Sequence, residues 1–120
     1  MRRGEVLLVN LDPVKPGEAA KTRPCVVVSN DGSNTAVAGH RRGTVTIVPL
    51  TSTTAAVGAD FQVLIDSREA MLAMGLSRPS KVQAEQVRAV SLERVGEPIG
   101  WAPAPVMRDI DTALRFHLSL

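Results

Sequence analysis

Lys21-Thr22-Arg23-Pro24-Cys25-Val26-Val27-Val28-Ser29-Asn30-Asp31 holds four consecutive apolar residues between a proline and the turn-forming run Asn30-Asp31-Gly32. A short apolar run bounded by such breakers reads as a buried strand, here Pro24 to Asn30. Arg23 stands at its mouth. Pro24 fixes its own φ and biases Arg23 towards an extended conformation, and the buried strand behind it anchors the backbone. A guanidinium held this way can grip a phosphate bidentately and stays charged at any relevant pH. The plainer alternative is a strand-edge arginine in a surface ion pair.

Working outward, Val6 to Leu11 reads as a strand closed by Asp12-Pro13, and Pro13 to Lys21 as a Pro/Gly loop. Ser33 to Arg42 is small and polar, hence loop. Gly43 to Val48 alternates with β-branched residues, a third strand ending at Pro49-Leu50-Thr51-Ser52. Phe61 to Ile65 is a fourth, and Asp66 to Gly75 a short helical turn around Met71 and Met74. In Lys81 to Val87 the residues Val82, Ala84 and Val87 share a buried face only if a bulge shifts the register. Ser91 is placed to cap a helical turn over Leu92 to Arg94, and Gly96 and Gly100 break the chain. From Val106 the positions Val106, Met107, Ile110, Ala113, Leu114 and Leu118 form one helical stripe, with Pro103 and Pro105 at its start. The expected architecture is a single domain over residues 1–120, a small and mostly antiparallel β-barrel closed by a C-terminal helix.

The 120 residues carry a net charge of +2, which permits a nucleic-acid partner without demanding one. Trp101, Phe61 and Phe116 are the only aromatics, so base stacking on an aromatic sheet is disfavoured. One cysteine, Cys25, excludes an internal disulfide framework and a cysteine zinc cluster. The opening Met1 to Pro13 fails as a signal peptide, and no run approaches the roughly 20 apolar residues of a membrane helix. A cytoplasmic protein with no membrane association is expected.

Thr51-Ser52-Thr53-Thr54 puts hydroxyls at a strand end, where they serve as loop solvation, a cap or phosphate donors. His40, beside Arg41-Arg42, and His117, beside the helical stripe, read as structural. Asp109 and Asp111 diverge on a helix, and Asp60 and Asp66 lack a third ligand, so no metal site or other cofactor is expected. Glu18 and Glu85 are the acids nearest in sequence to the other candidates.

Taken in order, Arg3-Gly4-Glu5-Val6, Leu11-Asp12-Pro13, Gly17-Glu18, Lys21-Thr22-Arg23-Pro24, Val26 to Asp31, Val48 to Ser52, Ser80-Lys81-Val82, Glu85 to Arg88 and Arg94-Val95 resemble the MazF/PemK family of endoribonuclease toxins. The resemblance implies an SH3-like barrel, a homodimer, metal-independent cleavage of single-stranded RNA and inhibition by a cognate antitoxin. It places Arg23 and Thr51 on the catalytic arginine and threonine. It puts Glu18, Lys21, Thr22, Ser52, Ser80 and Gln86 on or beside substrate-facing positions. Gln83 is a further substrate-binding candidate, and Glu18 and then Glu85 are the candidate bases. The Kid-like branch has an arginine and an aspartate where this chain has Gln83 and Glu85, so that acid–base pair is not imported. Two rivals remain: a gyrase-trapping toxin of the same fold, whose Trp-Gly-Ile ending is absent from Phe116 to Leu120, and a degenerate member that only binds or regulates.

Overall fold

A computed structural model describes residues 1–12, 16–17, 21–58 and 60–120. Among the described residues seven strands, β1 (Glu5–Asn10), β2 (Thr22–Val27), β3 (Thr44–Thr51), β4 (Gln62–Ile65), β5 (Ser80–Gln83), β6 (Arg88–Ser91) and β7 (Val95–Trp101), form one antiparallel sheet. Its order is β4-β5-β3-β2-β1-β7, with β6 pairing the other half of β3. Three α-helices, α1 (Asp31–His40), α2 (Arg68–Met74) and α3 (Ala104–Leu118), pack around it.

The unbroken apolar run of β2 is explained by burial on both faces. Cys25 and Val27 join Leu7, Val9 and Ile47 in one core, whereas Val26 joins Val6, Val48 and Leu50 in a second. Successive side chains point to opposite faces, so a strand covered on both sides carries no polar alternation. The register Cys25↔Pro49, Val26↔Val48 and Val27↔Ile47 aligns the two sets. The second core is roofed by α3, where Ile110 is fully buried and Val106, Met107 and Leu114 are partly so. Burying a side chain of that size contributes roughly 2–3 kcal/mol. Leu118, expected in the stripe, is instead half exposed at the helix end.

The expected register shift is present. β5 pairs with Leu50 and Thr51, β6 pairs with Thr44 to Ile47, and a 3₁₀ turn over Ala84–Gln86 crosses the gap between them. The gap lies opposite Val48 and Pro49, and proline has no N–H to offer a ladder. Ser91 caps the next turn as expected, its hydroxyl accepting from Glu93 N–H.

Two expectations are corrected. Ser33 to Arg42 is not loop but most of α1. Asn30, read as a turn residue, accepts from Ser33 N–H and caps the helix, and Arg41 ends it in the left-handed region. The helix has no apolar stripe. Its one buried residue, Asn34, pins it by exchanging hydrogen bonds with Ser29, whose hydroxyl also accepts from Thr46 N–H of β3.

Gly96 and Gly100 do not break the chain but lie within β7. At Gly100 an added Cβ would stand 2.5 Å from the backbone of Ala73 and Met74, because the end of α2 presses directly on the strand. Gly75, the α2 cap at φ +72, meets the carbonyl of Ile99 the same way. Overpacking of this kind costs about 1–3 kcal/mol. Gly100→Ala should therefore lower stability by about 3 kcal/mol, seen as a reduced urea midpoint at unchanged slope.

Candidate active site

β2 and β3 bring the two leading candidates together. Continuing their register two residues beyond Cys25↔Pro49 sets Arg23 across from Thr51. Arg23 Nη1 donates a long hydrogen bond of 3.4 Å to Thr51 Oγ1. The same oxygen accepts from Thr53 N–H at 3.2 Å. A hydroxyl has two acceptor positions and one proton. Both acceptor positions are occupied here, so Thr51 is left to act as a donor.

A cavity of about 410 Å³ opens beside this pair, and among the described residues its polar lining is Thr22, Arg23, Thr51, Ser52, Ser77, Arg78 and Ser80. Ser80 is buried and donates to Arg78 O at 3.1 Å. Thr22 and Ser52 are exposed. The other candidates among the described residues lie outside this lining. Lys21, at φ +67, closes the neck between β1 and β2: its N–H donates to Asp12 Oδ1 at 2.9 Å and its carbonyl accepts from Leu11 N–H. Gln83 pairs with Gln62 in the β4–β5 ladder, and Gln86 donates to Gly17 O at 3.3 Å.

Glu85 is engaged elsewhere. Its Oε2 accepts from Gln62 Nε2 at 2.8 Å, while Oε1 is buried without a hydrogen-bond partner. Gln62 in turn accepts from Gly58 N–H, and Lys81 donates to Ala56 O, so this group of side chains tethers the chain beyond Thr51. Glu18, the other candidate base, lies outside the described residues. His40 and His117 are both exposed and do not line the cavity. Among the described residues, no three His, Cys, Asp or Glu side chains converge in a group that could hold a metal ion.

Sequence reasoning missed Arg78. The signal was present: Arg78-Pro79 repeats the Arg-Pro pattern of Arg23-Pro24 and, like it, stands at the start of a buried strand.

Cys25 is buried beneath this surface, and burial pushes its thiol from 9.0 up to about 12, against the opposing influence of Arg23 and Arg88. The reactive species is the thiolate. Cys25 should therefore resist iodoacetamide at pH 8 in the folded protein and react only on unfolding, followed by mass spectrometry. The folded value exceeds the unfolded one, so the neutral thiol's contribution to stability is constant below pH 9. It is lost as the pH rises from 9 towards 12.

Residues 2–118 match the profile of the PemK-like, MazF-like toxins of type II toxin–antitoxin systems. The chain belongs to that family. Over all 120 residues it is 44% identical to endoribonuclease MazF9 of Mycobacterium tuberculosis, covering 98% of that relative. MazF of Deinococcus radiodurans superposes with a TM-score of 0.78 at 25% identity, over 100% of this chain and 97% of the other. A mycobacterial endoribonuclease solved with its cognate antitoxin superposes at 0.73, with 23% identity, over 100% and 96%. The expected fold, mainly antiparallel β with a C-terminal helix in the PemK/MazF arrangement, holds across the whole length. Among the described residues no helix is long and apolar enough to cross a membrane.

Proposed function

We propose that this MazF-family endoribonuclease cleaves single-stranded RNA through the substrate's own 2′-hydroxyl, with Arg23 and Thr51 acting on the scissile phosphate. The supporting observation is the Arg23–Thr51 pair at the cavity wall, where the threonine hydroxyl has only its proton left to give.

In the proposed reaction the 2′-oxygen bonds to phosphorus as the bond to the 5′-oxygen breaks. The proton leaves the 2′-hydroxyl for a base, and another reaches the departing 5′-oxygen. The products are a 2′,3′-cyclic phosphate and a 5′-hydroxyl. Negative charge grows on the non-bridging oxygens, where a preorganised guanidinium and hydroxyl stabilise the transition state more than the ground state. DNA lacks the nucleophile and is not cut. Glu18 is the first candidate base. Glu85 is the second, and reaching substrate would require it to release Gln62. Lys21, Thr22, Ser52, Ser80, Gln83 and Gln86 contribute to RNA binding.

The protein acts in the cytoplasm as a homodimer and is restrained by a cognate antitoxin. Exposed Phe116, Leu118 and Leu120 at the end of α3 provide apolar surface suited to such contacts.

The purified protein is expected to cut a long mixed-sequence RNA in EDTA and to leave cyclic-phosphate ends. A requirement for an added divalent ion, or products ending in 3′-hydroxyls, would remove this chemistry. Loss of gyrase supercoiling without RNA cleavage would point to the non-nuclease rival instead.

A further inference from the structure

Arg78 stands on the same cavity as Arg23 and is delivered to it by a rigid frame. The chain leaves α2 through Gly75, at φ +72, with Leu76 N–H returned to Met71 O. Pro79 biases Arg78 towards an extended conformation, and the buried Ser80 hydroxyl holds the Arg78 carbonyl at 3.1 Å. Its backbone is thus set from both sides, while its side chain is exposed.

Beside Gly75 and the polar residues, the described lining is apolar: Leu8, Pro24, Leu50, Leu76 and Ile99. Two arginines and several hydroxyls beside an apolar wall suit one nucleotide, with a phosphate on either side of a base. The volume of about 410 Å³ falls in the range of small-ligand sites. Among the described residues the lining contains no aromatic side chain, so the base would be held by aliphatic contact rather than by stacking on a ring.

We propose that Arg78 is a second phosphate-binding residue, and that the cavity it lines together with Arg23 seats one nucleotide of the RNA with its base against the aliphatic wall. This rests on the RNA reading above, and it names the position where a base adjoining the scissile phosphate is selected.

Nucleoside 3′,5′-bisphosphates carry one base between two phosphates and cannot be cleaved by 2′-hydroxyl attack with loss of a nucleotide chain. An equimolar mixture of the four, titrated against the whole protein by calorimetry, is the direct probe, with inorganic phosphate as the control. The bisphosphates are expected to bind at least tenfold more tightly than phosphate. Arg78→Met should weaken them about tenfold, and Arg78→Lys should restore part of the loss. In RNA cleavage Arg78→Met should raise KM with little change in kcat, because the contact is made equally in ground and transition states. Binding to a 2′-fluoro oligonucleotide, which lacks the attacking hydroxyl, should show a salt slope reduced by about 0.7, the value for one phosphate of a single strand.

Unchanged bisphosphate affinity and salt slope in folded Arg78→Met would overturn the assignment. Equal affinity for phosphate and bisphosphate in the wild-type protein would overturn the seating of the base. The underlying reading fails separately: a wild-type protein that binds bisphosphates through Arg78 yet never cuts RNA keeps this site and loses the nuclease mechanism.

Discussion

Arg23→Ala is expected to lower kcat/KM for single-stranded RNA about a thousandfold while the protein stays folded. Removing one preorganised donor from a developing oxyanion costs about 3–4 kcal/mol, and Arg23 offers both a donor and a full charge. Its side chain is only part-buried, and its backbone is held opposite Val9 in the β1–β2 ladder, so truncation should leave the two cores intact. Cleavage rates at subsaturating RNA, with circular dichroism to verify folding, are the measurement. Arg23→Lys should recover little, because an ammonium cannot reproduce the planar fork that meets two phosphate oxygens and Thr51. Cleavage within threefold of wild type in folded Arg23→Ala would eliminate the proposed role.

Thr51→Val should cost about a hundredfold, mainly in kcat. The substitution preserves shape but removes the one proton that the hydrogen-bond arrangement leaves available, and it strips an acceptor from Arg23 Nη1 and Thr53 N–H. Thr51→Ser should keep most of the activity, since it retains that proton. The double variant Arg23→Ala/Thr51→Val should fall by less than the product of the single losses, as expected for two groups in direct contact acting on one phosphate. Full additivity would mean that the two act on different parts of the reaction.

Much of the β framework was legible because its signal is local. Cys25 to Val28, Val6 to Leu11 and the stripe from Val106 each combine apolar content with nearby breakers, and each became the element its pattern describes, with ends shifted by a few residues. The strand read as Gly43 to Val48 runs on to Thr51 through Pro49, because its edge partner changes from β6 to β5 and bulges around that proline. Helix α1 was illegible to hydrophobic periodicity. It is held by Asn34 against Ser29 and by Val37 at the edge of the first core, and such sparse contacts have no period to detect.

For the site, Arg23 and Thr51 lie 28 positions apart, and only the antiparallel register of β2 on β3 makes them neighbours. Thr22, Ser52 and Ser80 joined them on one cavity, whereas Lys21, Gln83, Glu85 and Gln86 did not. Glu85 illustrates the reason. Its chemistry is readable in one letter, but its availability depends on Gln62, 23 residues away, which holds one of its oxygens.

The amino-acid sequence by itself determined which stretches must leave water, where an arginine is stiffened by the proline after it, and which family pattern the chain follows. Folding decided which polar side chains share a cavity, that Thr51 is left as a donor, and that Arg78 lines the same cavity as Arg23. The reason is physical: burial and backbone stiffness are set by neighbouring residues, whereas hydrogen-bond occupancy and charge proximity are set by groups that only the folded sheet brings within reach.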